Sequence, residues 1–231
     1  MSAPLIDRLI TGEDSSEIVR DQIAAILLAE SASQQALALA AGPPVDPDDY
    51  VLRVFVERTN PWAEWIDSPE EDPSRKFPIV NVWVDSINYD MASSNVVERQ
   101  KATVVYNVDV YGYGLSEDDP TGGHVAGDEL AAFEAQRAAR LVRRILMAAT
   151  YTYLGLRGTV WRRWPTSMSF FQPQIDARPV AHVQAARIAF QVEMNEFSPQ
   201  VHGEPLEALV ATVKRSPTGE IYFVAEYPPS P

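Results

Sequence analysis

One segment constrains the fold of this chain more than any other. Residues 102–114, ATVVYNVDVYGYG, alternate between apolar and polar side chains and end in two closely spaced glycines. Alternation of this kind predicts a β-strand whose two faces meet different surroundings. Val104, Tyr106, Val108 and Val110 fall on the face predicted to be buried. The opposite, polar face carries Thr103, Asn107, Asp109 and Tyr111.

Asp109 is the residue in this strand that decides between classes of function. A carboxylate among valines and tyrosines fits a catalytic acid, a metal ligand or the solvated side of a sheet. We interpret Asn107, Asp109 and Tyr111 as a polar sheet face, because no catalytic partner follows in the nearby sequence. This face is expected to turn toward solvent, a channel or a neighbouring chain.

The remaining patterns predict two helices and several further strands. Asp14 followed by Glu17 has the spacing of a capping box and predicts a helix from there to about residue 30, with an extension to Gly42 left open. A second helix is predicted over residues 128–149, with Leu130, Leu141, Val142, Ile145 and Leu146 on one side. Strands are predicted over residues 51–58, 78–90, 102–114, 159–173 with an interruption at Pro165, and 181–197.

The order of these elements predicts an α+β fold. We expect an αβββαββ sandwich with its helices packed on a mostly antiparallel sheet, followed by a C-terminal β-hairpin. Residues 1–200 would form the main domain, and residues 201–231 the hairpin extension.

Composition excludes several classes of protein. The chain has 231 residues and no cysteine, so it contains no disulfide, no thiolate metal site and no cysteine nucleophile. The formal net charge of −13 argues against a protein that grips the phosphates of nucleic acid. We find no apolar run of about 20 residues and predict no membrane span.

Local motifs do not indicate an enzyme. The sequence has no Walker A motif, no G-x-S-x-G elbow and no HExxH helix, so we predict no catalytic residues, no cofactor and no metal. One alternative of a different class stays open: Asp85 and Asp109 as paired carboxylates that hold a metal in a small hydrolase or nuclease.

Two groups of side chains are candidates for a subunit or partner interface. The first is the flank of the second predicted helix, with Arg137, Arg140, Arg143 and Arg144. The second is the run Trp161, Arg162, Arg163 and Trp164 in a predicted strand; Trp and Arg are frequent anchors of interfaces. A solvated or intrachain-paired face remains an alternative for both groups, and nucleic acid a lesser one for the helix.

The chain resembles the tail terminator and tail-completion proteins of long-tailed bacteriophages. The resemblance lies in the element order and in the segments DELAAFEAQRAARLVRRILMAATYTYLGLRG, TVWRRWPTSMSFFQPQ and ARIAFQVEMNEFSPQ. It is one of architecture and covers roughly residues 1–200. Another neck component, such as a head-completion or connector protein, and a tail tube protein are the nearest alternatives.

The resemblance implies a structural protein of the virion tail or neck, assembled in the host cytoplasm. Members of that family form a hexameric ring that caps the tail tube and offers a surface to the head connector. The implied partners are other copies of the chain, the tube or sheath protein and the neck proteins, with DNA only passing through a channel. A ring contact of this type joins two different surfaces of each subunit, so Arg137, Arg140 and Arg144 are expected to meet an acidic loop.

Overall fold

One mixed sheet of five strands and two long helices form the main unit of the protein in a computed structural model. The structure describes residues 11–62, 78–90, 99–118, 123–173, 181–197, 209–214 and 221–227. The α+β prediction is confirmed at this level. The helices are α1 (Ser15–Ala41) and α2 (Gly127–Leu146), and the sheet strands are β1 (Arg53–Val56), β2 (Ile79–Tyr89), β3 (Arg99–Leu115), β6 (Val160–Phe171) and β7 (Ala181–Phe197).

Short strands lie outside this sheet. Strands β4 (Glu117–Asp118) and β5 (His124–Val125) pair with each other between β3 and α2. Strands β8 (Leu209–Lys214) and β9 (Ile221–Tyr227) form an antiparallel pair in a second unit, separate from residues 11–198.

The sheet has the strand order β1-β2-β3-β7-β6. β1 pairs with β2 in parallel, and the other three pairings are antiparallel. β3 and β7 are paired over the full length of both strands and form the centre of the sheet, whereas β1 and β6 are its edges. β6 runs through Pro165 as one strand, with register shifts on either side, so the predicted interruption is a local irregularity.

Both helices pack on the same face of the sheet, which we call the helix face. Val104, Tyr106, Val108 and Val110 of β3 are fully buried there, as the alternation predicted. α1 contributes Val19, Ile23, Ile26 and Leu27 to the same core. The other side of the sheet, the open face, carries Asn81, Trp83, Asp109 and Arg187, and its small apolar cluster includes Ile79, Tyr111 and Val183.

The predicted capping box begins α1. The Asp14 side chain accepts the backbone N–H of Glu17, and the Glu17 carboxylate accepts that of Asp14 at 2.9 Å. The helix continues to Ala41 and ends at Gly42, whose φ of +67° suits glycine. Of the two end points considered for this helix, about residue 30 and Gly42, the structure shows the later one.

α1 corrects the expectation that the chain has no candidate membrane span. Its most apolar 18-residue window has a mean hydropathy of 1.4, which is enough to cross a membrane by length and composition alone. A third of that window is buried inside the protein, and core helices of soluble proteins meet the same criterion.

α2 packs on the sheet through alanines together with three of the predicted apolar residues, Val142, Ile145 and Leu146. Its buried face consists of Ala131, Ala135, Ala138, Ala139, Val142, Ile145 and Leu146, whereas Leu130 is 44% exposed. The small side chains bring the helix backbone against β3 at Gly112 and Gly114. The two glycines near the end of β3 therefore leave the space that allows α2 to pack closely on the sheet.

Glu134 of α2 supports a prediction on the pH dependence of stability. Its carboxylate accepts the backbone N–H of Tyr113, and burial raises the pKa of this carboxyl, opposed by the Tyr113 hydrogen bond and by Arg137. A raised folded-state pKa means that the native state binds more protons, so this group favours folding less as pH rises through the carboxyl range. We expect Glu134→Gln, which keeps an acceptor for Tyr113, to gain stability relative to wild type at pH 7.

Urea unfolding at pH 7 and at pH 4 measures this effect. The difference between Glu134→Gln and wild type should shrink at the lower pH, because protonation of the wild-type carboxyl removes the charge that burial penalises. Glu129→Gln, at an exposed position in the first turn of the same helix, is the matched control and should show no such trend. If the free energy of unfolding of Glu134→Gln differed from that of wild type by the same amount at both pH values, the prediction would be contradicted.

Candidate functional site

A buried ion pair lies at the centre of the open face. Asp109 of β3 and Arg187 of β7 are directly opposite each other in the strand register. The guanidinium donates from Nε to Asp109 Oδ1 at 2.7 Å and from Nη2 to Oδ2 at 2.8 Å. The Asp109 side chain is 3% exposed and that of Arg187 is 38% exposed. The pair is therefore bidentate, with its carboxylate inside and its cation reaching the surface.

Aromatic side chains hold this pair in place. Trp83 donates its indole N–H to Asp109 Oδ2 at 3.0 Å, and Tyr111 donates its hydroxyl to the same oxygen at 3.4 Å. The Arg187 guanidinium carbon lies 5.0 Å from the Trp83 ring centroid and 5.2 Å from that of Phe171. The charge-assisted bonds to Asp109 raise the pKa of Arg187, and burial raises the pKa of Tyr111, so Arg187 stays charged and Tyr111 stays neutral.

A cleft of about 570 Å³ opens above the pair. Its volume lies within the range typical of ligand pockets. Four aromatic rings line it, Trp62, Trp83, Tyr111 and Phe171, and Trp62 packs on Tyr111 with 5.1 Å between ring centroids. Polar side chains from two segments complete the lining, Glu57, Arg58, Thr59 and Gln172. The walls of the cleft are thus apolar, and at its base the opposite charges of Asp109 and Arg187 neutralise each other.

One wall of the cleft is fixed by side chains that bond to backbone. Asn81 donates to the carbonyl of Arg58 at 2.8 Å and accepts its N–H at 3.0 Å, which continues the pairing of the two strands beyond β1. Glu57 has a φ of +52°, unusual for a non-glycine residue, and its carboxylate accepts the Val84 N–H at 3.0 Å. The strained turn at Glu57 is thus held by a specific contact and directs Arg58 and Thr59 along the cleft.

The expectation of a solvated polar face on β3 is wrong. Asn107, Asp109 and Tyr111 do share the open face, but they are only 4%, 2% and 3% exposed. They are covered because Arg187 and the aromatic rings lie over Asp109 and Tyr111, and Asn107 donates to Asp85 at 2.9 Å. Arg187 and Trp83, which sequence reasoning did not select, complete the site.

Asp85 and Asp109 do not come together as paired carboxylates. Asp85 accepts from Asn107, whereas both oxygens of Asp109 accept from Arg187. Among the described residues, no group of three or more His, Asp or Glu side chains is placed to hold a metal. The two acids therefore have different hydrogen-bond partners in this structure.

The arginines of α2 form a second candidate site. Arg137 pairs with Asp49 at 2.7 Å, and a hollow of about 150 Å³ lies between this pair and the side chains of Tyr50, Arg140 and Arg144. Arg140, Arg143 and Arg144 are exposed and form no hydrogen bond or ion pair with any described residue. We call Arg137, Arg140 and Arg144 the arginine cluster.

Two acidic runs of the sequence, residues 70–72 and 117–119, are the loops that could meet these arginines, and the structure describes them only in part. Glu70, Glu71 and Asp72 lie outside the described residues, as does Asp119. Asp118 is exposed and accepts from His124 at 3.2 Å if that ring nitrogen is protonated. The partner that Arg137 does have, Asp49, comes from a 3₁₀ turn that sequence reasoning did not select.

The four residues of the Trp/Arg run have different surroundings. Trp161 is 53% exposed, and Arg162 stacks over Trp164 at 4.9 Å and lies 3.8 Å from Glu193. Arg163 instead turns inward, where it donates to the carbonyls of Tyr151 and Ala148, and burial lowers its pKa. Arg163 therefore ties β6 to the turn that follows α2, and Trp161 and Arg162 are the members most available to a partner.

Comparison with known proteins gives this chain no family. No protein-family model matches it, and a search of curated proteins finds no match. Its function is therefore inferred from the cleft, the arginine cluster and the exposed part of β6.

Proposed function

We propose that this protein is a structural subunit of a long-tailed bacteriophage virion, a tail terminator whose copies form a hexameric ring. The ring caps the tail tube, ends its growth and joins it to the head connector in the neck. In this proposal the fold is an αβββαββ sandwich with the C-terminal hairpin as an extension. The subunit is not an enzyme and binds no cofactor, and it enters the virion after assembly in the host cytoplasm.

The observation that carries the proposal is the arginine cluster on a strongly acidic chain. Arg140 and Arg144 extend their charges from α2 without a partner among the described residues, although the chain has 32 acidic residues and a net charge of −13. A cation cluster on such a chain is complementary to the remaining surface of an identical chain. Contact between two different surfaces of one subunit is heterologous and closes into a ring when the rotation between copies permits it.

The acidic balance of the chain also suits a ring around DNA. A lumen with few cations repels phosphates and gives DNA no counterion release as it passes. Under this proposal the arginines of α2 belong in contacts between subunits and stay away from the channel.

Particle morphology tests the proposal and separates it from the nearest alternatives. Phage particles that lack this protein should carry tails of abnormal length that fail to join filled heads. Tails of normal length beside unjoined heads would instead favour a head-completion or connector protein. Normal, infectious particles would reject a role in the virion.

The arginine cluster gives a prediction on assembly. Arg140→Glu combined with Arg144→Glu places like charges in the subunit contact, so we expect self-association to weaken at least about tenfold. Analytical ultracentrifugation and negative-stain imaging, with and without purified tail tubes, measure the assembly. Wild-type association should also weaken as salt rises, since the contact is electrostatic.

Arg157→Glu is the control for this experiment. Arg157 is exposed and lies over the Tyr153 ring at 5.9 Å, outside the arginine cluster. It changes the net charge by about −2, half of the change in the double variant, and should leave assembly as in wild type. Equal loss of assembly in both variants would mean that net charge, and not the cluster, controls association.

A further inference from the structure

Trp161 is a large apolar side chain in an unusual position. It lies on the edge strand β6, within the register shift between Val160 and Arg162, and it is 53% exposed. The neighbouring Arg162 side chain is 69% exposed. Tryptophan and arginine are among the residue types most enriched at the energetic centre of protein interfaces.

The cleft on the open face has the chemistry to receive such a side chain. Its walls are aromatic, and the polar groups of its floor bond to one another: Asp109 to Arg187 and Trp83, and Asn81 to Arg58. An incoming group therefore does not have to replace hydrogen bonds, and an apolar ring gains the most from entering. At the rim, Glu57 Oε1 accepts the Val84 N–H and lies 3.4 Å from Arg20 Nη1. The Glu57 side chain is still 43% exposed, so its carboxylate is open to a second cation.

The cleft and Trp161 of one chain are too far apart to meet. Trp161 lies beside Met194 and Glu193 of β7, whereas the cleft is centred on Arg187 of the same strand. Six to seven residues at about 3.3 Å each separate them by roughly 20 Å along the sheet. Trp161 can therefore reach such a cleft only on a second copy.

We infer that Trp161 of one subunit inserts into the open-face cleft of the next subunit, with Arg162 beside Glu57. This inference rests on the proposed ring and identifies one of its contacts. The contact is heterologous, because each chain donates a side chain at one end of the sheet and receives one in the cleft near the other end. Each cleft is completed by a residue of the neighbouring chain.

Cross-linking tests the contact directly, because the chain has no cysteine. In the variant Thr59→Cys with Thr159→Cys, one thiol lies at the cleft rim and the other lies two residues before Trp161. On assembled protein a short bismaleimide should give a ladder of covalent oligomers that ends at the ring size. Each single-cysteine variant should give no species above a dimer. A double variant that assembles but gives no ladder would overturn the inference and leave the proposed ring intact.

The contribution of Trp161 is tested by truncation. Trp161→Ala should weaken self-association about 30-fold, as expected for an interface anchor, with an unchanged circular dichroism spectrum. Phe170→Ala is the matched control, since Phe170 is also 53% exposed on β6 but lies on the helix side of the strand, opposite Ala186. Equal effects of the two substitutions would overturn the inference. Wild-type protein that never associates, even on tail tubes, would overturn the proposed ring as well.

Discussion

Replacement of Arg187 by alanine is expected to lower the free energy of unfolding by about 4 kcal/mol, because it leaves a buried carboxylate without its cation. Asp109 is 2% exposed, and the donors that remain to it would be Trp83 and Tyr111. Urea unfolding at neutral pH, followed by tryptophan fluorescence, measures the loss.

Removal of the carboxylate instead of the cation is expected to lower the free energy of unfolding by a smaller amount. Asp109→Ala frees an arginine whose side chain is already 38% exposed, so its charge can be hydrated, and we expect about half the loss. Arg162→Ala is the control, since its partner Glu193 lies 3.8 Å away at the surface and such a pair contributes at most about 1 kcal/mol. If Arg187→Ala cost no more than Arg162→Ala, the structural role given to the buried pair would be wrong.

Replacement of Gly112 by alanine is the second change with a large expected effect. A Cβ at this position would lie 2.3 Å from the Ala131 carbonyl oxygen and 2.5 Å from the Ala135 nitrogen. Both atoms belong to the α2 backbone, so no side-chain rotation relieves the clash and the helix must move away from the sheet. We expect a loss of about 3 kcal/mol, measured by thermal or urea unfolding.

Gly158→Ala separates steric exclusion from the loss of glycine flexibility. Gly158 has a φ of +94°, and no atom lies within 4 Å of a Cβ built on it. Its substitution should cost only the backbone strain, on the order of 1 kcal/mol. A smaller loss at Gly112 than at Gly158 would show that α2 is not closely seated on β3.

Local sequence patterns predicted the features that arise from local physics. Alternation in β3 identified its buried face, because a strand with one face in the core must place every second side chain there. The Asp14 and Glu17 spacing located the start of α1, because a capping box satisfies backbone groups within one helical turn.

The candidate site could not be predicted in the same way, because its contacts are remote in sequence. Asp109 and Arg187 are 78 residues apart, and nothing within either strand specifies that the two strands pair. The polar appearance of Asp109 suggested solvent, although a charged partner on the adjacent strand allows a carboxylate to be buried.

The packing face of α2 illustrates a different limit. A search for large apolar residues favours Leu130, which is exposed, yet the close approach at Gly112 places Ala131 and Ala135 against the sheet. A hydrophobic pattern indicates which side chains gain from leaving water. The contact between α2 and β3 depends instead on how closely the two backbones can approach each other. The two glycines at the end of β3 were the available signal, and they become informative once α2 is known to lie over them.

The edges of the sheet have a consequence for the way copies of this protein can accumulate. β1 has only four residues, and β6 contains Pro165, which has no N–H, with a register shift on each side. Neither edge presents a long, regular row of backbone donors and acceptors, the feature that lets exposed strands stack without limit into fibrils. At high local concentration, this geometry disfavours aggregation through edge-strand pairing and leaves a finite number of side-chain contacts as the way in which copies associate.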